Sequence, residues 1–252
     1  ISSITREKCG IFKAGVPAVI SSQLAEVTET IELSAADAEV HLHNAPDICP
    51  LENRRIAREV SRFSYDDIDL TLPLIGQHQI TNAQTAVTAS ILFDREIGMP
   101  AISGGLREVR WPARLQQMSR RPPVFYDVAH NPHGLEAVLA TLHQLFPRKK
   151  IGTVYALKKS KHLDEITRLL EAHCHVAIAT ESDHGEFFEP HRLTKKLSNS
   201  AITTATAATP EAAFNLMNEG ERQCDLWLIF GTHYMAKDVF DHFHFPFDNG
   251  QV

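Results

Sequence analysis

No stretch of this chain approaches the roughly 18 consecutive apolar residues that a membrane-spanning helix needs, so no membrane association is expected. Cysteine is sparse. Cys9, Cys49, Cys174 and Cys224 are scattered without CxxC spacing, a pattern of reduced thiols rather than a disulfide framework or a zinc site. An excess of positive charge is also missing. The 25 Lys and Arg residues are outnumbered by 31 Asp and Glu, for a net charge of −6. Non-specific nucleic-acid binding, which depends on a cationic surface, is therefore not expected, although a local basic pocket for an anionic substrate remains open. Residues Ile1–Lys8 lack both an initiator Met and the basic-then-apolar pattern of a secretory signal. Cytoplasm is the expected location, and a segment upstream of Ile1 is expected to be missing. The phosphate-loop pattern G-x-x-x-x-G-K-[ST] does not occur.

The 252 residues suffice for one large domain or two ordinary ones, and 43% apolar with 22% charged residues is the composition of a soluble globular protein. From residue 111 onward, short apolar runs alternate with helix-period segments, the signature of βαβ units. Val124–Val128, Ile151–Ala156, His175–Ala179, Ile202–Thr206 and Leu226–Phe230 read as strands. Leu135, Val138, Leu139, Leu142 and Leu145 recur at helical spacing, as do Leu163, Ile166, Leu169 and Leu170. Thr209-Pro210-Glu211 supplies an N-cap followed by proline at the first helical position. This alternation predicts a Rossmann-like, mostly parallel sheet. Before residue 111, Ala18–Ile20 reads as a buried strand and Leu70–Ile75 as another. Residues 37–62 are placed only as helix plus loop. Gly76 ends the second strand, and Thr81-Asn82 opens a helix with Ala83, Ala86, Val87, Ser90 and Ile91 on one face. The expected domains are residues 1–110 and 111–252.

Several polar residues stand at positions suited to chemistry. Asp127 closes a predicted strand in an open α/β sheet, the edge at which ligands bind. An acid there can hold a nucleotide ribose or organise a metal-bound phosphate, and His130 and Asn131 follow in the same loop; an Asx-type helix cap is the alternative. Arg114 follows a proline at the expected junction. Its planar fork suits phosphate or ribose, although by spacing alone a surface arginine is the favoured reading. Asn82 offers a donor and an acceptor, or only a helix cap. Lys8 lies in the charged stretch Arg6-Glu7-Lys8. His41, His43, His173, His175, His242 and His244 form H-x-H pairs, which suit alternate strand residues better than a metal site needing convergent ligands.

The order of the segments is more informative than any one of them. Arg6-Glu7-Lys8-Cys9-Gly10-Ile11-Phe12-Lys13, Gly76-Gln77-His78-Gln79-Ile80-Thr81-Asn82-Ala83, Trp111-Pro112-Ala113-Arg114-Leu115-Gln116, Asp127-Val128-Ala129-His130-Asn131-Pro132-His133 and Phe230-Gly231-Thr232-His233-Tyr234 follow one another along the chain. This set resembles the Mur ligase superfamily and, within it, the folylpolyglutamate/dihydrofolate synthases, from about Arg6 to Val239. The resemblance implies the later part of a central ATP-binding domain, followed by a carboxy-terminal glutamate-ligase domain. It implies ATP and Mg2+ as cofactors and an acyl-phosphate route joining L-glutamate to dihydropteroate or a reduced folate, in a monomeric enzyme. It assigns Asn82, Arg114 and Asp127 to the nucleotide. Lys8 would be carbamylated and would bind magnesium through the new carboxylate, chemistry that burial of the lysine would favour by lowering its pKa. His130 and His133 would lie near the incoming amine. The phosphate loop would lie upstream of Ile1, so the chain alone is expected to be inactive. Three departures stand out: Ala113 replaces the usual glycine, Lys158-Lys159-Ser160-Lys161-His162 replaces an acidic turn, and the acidic Thr180–Glu186 replaces a Pro-Arg-containing one. A peptidoglycan-type Mur ligase and a non-catalytic nucleotide-binding module are the alternative readings.

Overall fold

A computed structural model describes residues 2–159, 162–182, 186–198, 200–220 and 223–246. The chain divides into two compact units. One runs to Pro73 and includes Gln77–Val109; the other comprises Leu74–Gly76 and the chain from Arg110 onward.

In the first unit, helix α1 (Ser2–Cys9) packs on α2 (Ala25–Asp37), with the parallel pair β1 (Ala18–Ile20) and β2 (Leu42–Asn44). Strand β1 is half-buried along its length rather than buried. After the short α3 (Ala45–Ile48), the segment expected as helix and loop instead enters an antiparallel sheet, β3 (Glu52–Ile56), β4 (Ser61–Tyr65) and β5 (Ile68–Leu72). Strand β3 is exposed at four of its five positions, so no apolar alternation marks it, and pairing with β4 defines it instead. The β4–β5 turn is Asp66-Asp67, both with positive φ (50° and 59°). Aspartate tolerates that region, and such a two-residue turn matches the twist of a hairpin.

Helix α4 (Gln77–Phe93) starts four residues before the expected Thr81, and α5 (Met99–Glu108) follows. Thr81 does not cap: its hydroxyl donates to the Gln77 carbonyl one turn back at 3.2 Å, the way such residues are accommodated inside helices. The buried face consists of Gln79, Ile80, Ala83, Gln84, Val87 and Thr88, while Ala86, expected on it, is exposed. The Gln84 amide donates to the Cys49 carbonyl at 2.7 Å and the Thr88 hydroxyl to that of Ala45 at 3.4 Å, tying α4 to α3.

The second unit is the doubly wound sheet that the alternation predicts. Its elements are β6 (Gln116–Arg120), β7 (Pro123–Asp127), α6 (Pro132–Leu145), β8 (Ile151–Tyr155), α7 (Leu163–His173), β9 (Cys174–Ala179), α8 (Pro190–Lys196), β10 (Thr203–Thr206), α9 (Pro210–Glu219), β11 (Leu226–Phe230) and α10 (Ala236–His242). The strand order is β10-β9-β8-β11-β7-β6. All neighbours are parallel except the added edge strand β6, which runs antiparallel to β7. The Thr209 side chain accepts the Ala212 amide, so the expected cap opens α9.

Right-handed crossovers decide where the helices go. From β7 to β8, β9 and β10 the connections advance in one direction, and α6, α7 and α8 pack in succession. The β10–β11 connection runs back, and α9 packs with α10, their Phe214 and Phe240 joining Tyr126, Trp227 and Ile229 of the sheet in one core cluster. Strand β11, buried at every position, therefore sends its following helix to the opposite face from that used by its neighbours β7 and β8. In open sheets of this kind, such a divergence marks the carboxyl ends of the strands as the edge at which ligands bind.

At the end of β11, Gly231 has φ +114°, and a β-carbon there would overlap the Ala156 carbonyl oxygen. Gly231→Ala should therefore destabilise the protein by about 3 kcal/mol or more. Urea unfolding at neutral pH measures this, and a change below about 1 kcal/mol would contradict the tight junction.

Candidate functional site

Asp127, the last residue of β7, stands at this edge of the sheet and is 3% exposed. Its Oδ2 accepts the Leu115 amide and its Oδ1 the Ala129 amide, each at 2.7 Å. The carboxylate thus ties the chain entering β6 to the loop leaving β7. The entering segment needs the tie, because Ala113 (φ 58°) and Leu115 (φ 46°) are both left-handed, which costs an L-residue roughly 1–2 kcal/mol. Two further bonds hold Ala113: its amide donates to Gln116 Oε1 at 2.9 Å, and its carbonyl accepts the Val128 amide at 3.0 Å. A left-handed position is where glycine fits without strain, the physical sense of the Ala113 departure.

Arg114, between the two strained residues, is half-buried, with its guanidinium 5.7 Å from the Trp111 ring centroid. Burial pushes the Asp127 carboxyl up to about 6, against the Ala129 and Leu115 hydrogen bonds and the Arg114 charge, which lower it. His130 is exposed, and its Nδ1 lies 3.1 Å from the Val128 carbonyl. A carbonyl only accepts, so Nδ1 carries the hydrogen and Nε2 is the basic nitrogen of the neutral ring. Asn131 caps α6 by accepting the Gly134 amide at 2.8 Å, and His133 is exposed on the first turn. The cap of this loop is therefore Asn131, and Asp127 is a separate buried group.

Two contacts here had no sequence signal. The Tyr126 hydroxyl donates to the Thr232 carbonyl at 2.8 Å, fastening the loop after β11 to β7. Lys158 is bridged to Phe187, and its ammonium lies 4.2 Å from the Tyr234 ring centroid. The basic run leads into α7, which starts at Leu163 with His162 before it. Ser160, Lys161 and Asp183–Gly185, which belong to two of the departures, lie outside the described residues.

The remaining two candidates belong to the first unit. Asn82 is inside α4 rather than at its start, exposed, with its amide donating to Gln79 Oε1 at 3.3 Å, so the capping alternative is removed. Lys8 is in the last turn of α1 with its side chain 78% exposed and Glu7 at 4.0 Å. The burial that would favour carbamylation is thus not provided by its neighbours in this unit. Among the H-x-H pairs, His41 and His43 have ring centroids 4.5 Å apart, yet no three His, Cys, Asp or Glu side chains among the described residues gather as a metal site. The described structure holds all four cysteines as buried free thiols.

Comparison with known proteins now places this arrangement. Residues 113–233 match the family "Mur ligase, glutamate ligase domain". The chain as a whole is similar to folylpolyglutamate/dihydrofolate synthases. It is 26% identical over 250 residues to the dihydrofolate synthase/folylpolyglutamate synthase of Bacillus subtilis, covering 95% of this chain and 57% of the relative. With the corresponding Mycobacterium tuberculosis protein it shares 28% identity over 243 residues, 84% of this chain and 50% of the other. The chain thus spans little more than half the length of these relatives. The fold is shared with M. tuberculosis folylpolyglutamate synthase complexed with ADP and AMPPCP, at TM-score 0.86 and 24% identity over 96% of this chain and 59% of that one. E. coli FolC in complex with DHPP and ADP superposes at TM-score 0.78 and 22% identity, over 96% and 56%.

The electrostatics of Asp127 yield a signed pH effect. Its folded pKa of about 6 lies above the ordinary value near 3.8, so the native state binds this proton more tightly than the unfolded chain. The contribution to stability is complete below about pH 4, is lost as pH rises through about 6, and is level above that. Wild-type stability relative to Asp127→Asn should fall by up to about 3 kcal/mol across that window. A difference that is flat or rises between pH 4 and 6.5 would show that the two amides, not burial, govern the group.

Proposed function

We propose that this chain is part of an ATP-dependent carboxylate–amine ligase that adds L-glutamate to dihydropteroate, tetrahydrofolate or both through an acyl phosphate. Residues 1–110 would belong to its central ATP-binding domain and 111–252 would form its glutamate-ligase domain. The single observation that carries the reading is the buried Asp127 of the DVAHNP segment. It lies at the switch point of the sheet, under the charge of Arg114, in the stretch matched to the glutamate ligase domain. The names of the relatives favour the folate branch over a peptidoglycan-type ligase, and the ADP, AMPPCP and DHPP complexes of the structural neighbours favour a nucleotide and an acceptor of this class.

The roles follow from the donor set. Arg114 presents a planar cation suited to phosphate oxygens, and Asp127 an acceptor suited to ribose hydroxyls. Asn82 supplies an amide that can both donate and accept, as a nucleotide contact from the first unit. His130, with Nε2 basic, would take the proton that the glutamate amine loses on attack, with His133 beside it in sequence. ATP would supply the phosphoryl group that activates the acceptor carboxylate. Magnesium does not fit the described residues alone: Lys8 offers an ammonium until it is carbamylated, and its side chain is exposed. The assignment of Lys8 as metal ligand and catalytic residue remains a part of this proposal, and a mass increase matching one carbon dioxide on that side chain would bear it out.

Calorimetry with ADP tests the nucleotide reading. Arg114→Ala should weaken binding about tenfold or more, as expected for lost hydrogen bonds to a charged group. Arg114→Lys should recover only part of the loss, because the fork geometry is absent. ADP binding that ignores both substitutions would remove Arg114 from the site. The acceptor is tested by glutamate incorporation into dihydropteroate, tetrahydrofolate or a UDP-muramoyl acceptor by the complete gene product; use of the last alone would replace the folate reading.

A further inference from the structure

Trp111 is one of two tryptophans. It is 61% exposed, whereas Trp227 is wholly buried. A single exposed apolar side chain is ordinary on a protein surface and carries nothing by itself. The surroundings of this indole add the information. The Arg114 guanidinium lies 5.7 Å from its ring centroid, within the range of a cation–π contact. The same guanidinium acts electrostatically on the buried carboxyl of Asp127 at the end of β7. An open aromatic ring, a planar cation and a hydrogen-bond acceptor thus follow one another at the edge of the second unit, all set by the strained Ala113–Leu115 segment. A nucleotide presents the complementary series: a flat base, phosphate oxygens, and ribose hydroxyls that donate.

We propose that Trp111 is a stacking platform for the base of a nucleoside di- or triphosphate, placed so that Arg114 meets the phosphates and Asp127 the ribose. The inference rests on the nucleotide reading above and adds the residue that recognises the base. Stacking suits the position because the indole presents its face without needing a directional partner, and a base buries apolar area on both sides of the contact. A pterin ring is also flat and heteroaromatic. The neighbouring guanidinium and carboxylate favour the nucleotide, which offers both an anion and vicinal hydroxyls.

The fluorescence contrast between the two tryptophans supplies the test on the chain as it stands. ADP should quench the long-wavelength emission of Trp111, with the same midpoint as the calorimetric titration. Trp111→Phe should bind ADP within about threefold of wild type, and Trp111→Ala should lose about tenfold or more. Inorganic tripolyphosphate should bind wild type and Trp111→Ala equally, since it has no base. Three outcomes overturn the platform while leaving the nucleotide reading intact: ADP binding without a change in Trp111 emission, wild-type ADP affinity in Trp111→Ala, or an equal loss of tripolyphosphate, which would mark a structural role. Quenching by dihydropteroate but not by ADP assigns the ring to a pterin and also overturns it. Absence of any ADP binding to wild type removes both the nucleotide reading and this inference.

Discussion

The carboxylate of Asp127 is the joint on which the candidate site depends. One oxygen holds Leu115 and the other Ala129, so a single side chain fixes both the segment entering β6 and the loop leaving β7. The entering segment contains two left-handed L-residues, a conformation that persists only where surrounding bonds over-determine it. The bonds from Ala113 to Gln116 and Val128 complete that constraint. Arg114 lies between the strained residues, so its orientation is inherited from theirs.

The second unit was legible because its signals are local and agree with one another. Leu226–Phe230 is a continuous apolar run, as expected of a strand covered on both faces, and it is buried at every position. The helices of the unit carry apolar residues at their own period, and Thr209 caps α9 as its position in sequence indicates. Edge strand β6 escaped because Gln116–Arg120 is polar and is held by pairing with β7. In the first unit, β1 and part of β5 were read as strands, whereas β3 and β4 escaped for the same reason. Strand β3 is exposed, and the hairpin after β4 turns on Asp66-Asp67 rather than on a glycine-containing pair. Pairing energy of this kind is contributed by a partner distant in sequence, and no window of the chain displays it.

The site divides along a similar line. Asp127 could be placed at a strand end from pattern alone, and the topology of the sheet then puts it at the switch point. Its depth, its two amide partners and the left-handed backbone beside it depend on contacts that no periodicity encodes. The replacement of glycine by Ala113 was visible, but its consequence required the observed φ of 58°. Thr81-Asn82 misled because threonine and asparagine favour caps, whereas the Thr81 hydroxyl satisfies itself one turn back inside α4. Lys8 was singled out through the resemblance, and its exposed side chain shows how little a charged tripeptide says about desolvation.

The bonding of Asp127 also limits what the group can do. An ionised carboxylate offers about four lone-pair sites over its two oxygens, and each oxygen here commits one of them to a backbone amide. Bidentate coordination of a cation would draw on both oxygens and weaken the ties to the left-handed Leu115 and to Ala129 at once. Accepting a hydroxyl hydrogen on a remaining lone pair leaves the tie intact. Burial raises the proton affinity of the carboxyl while the amides and Arg114 lower it, so the charge of the group is held in balance by its ligand-side neighbour. A polar acceptor braced by the backbone and tuned by an adjacent guanidinium is suited to orienting a hydroxyl-bearing ligand next to an anion, more than to serving as a metal ligand.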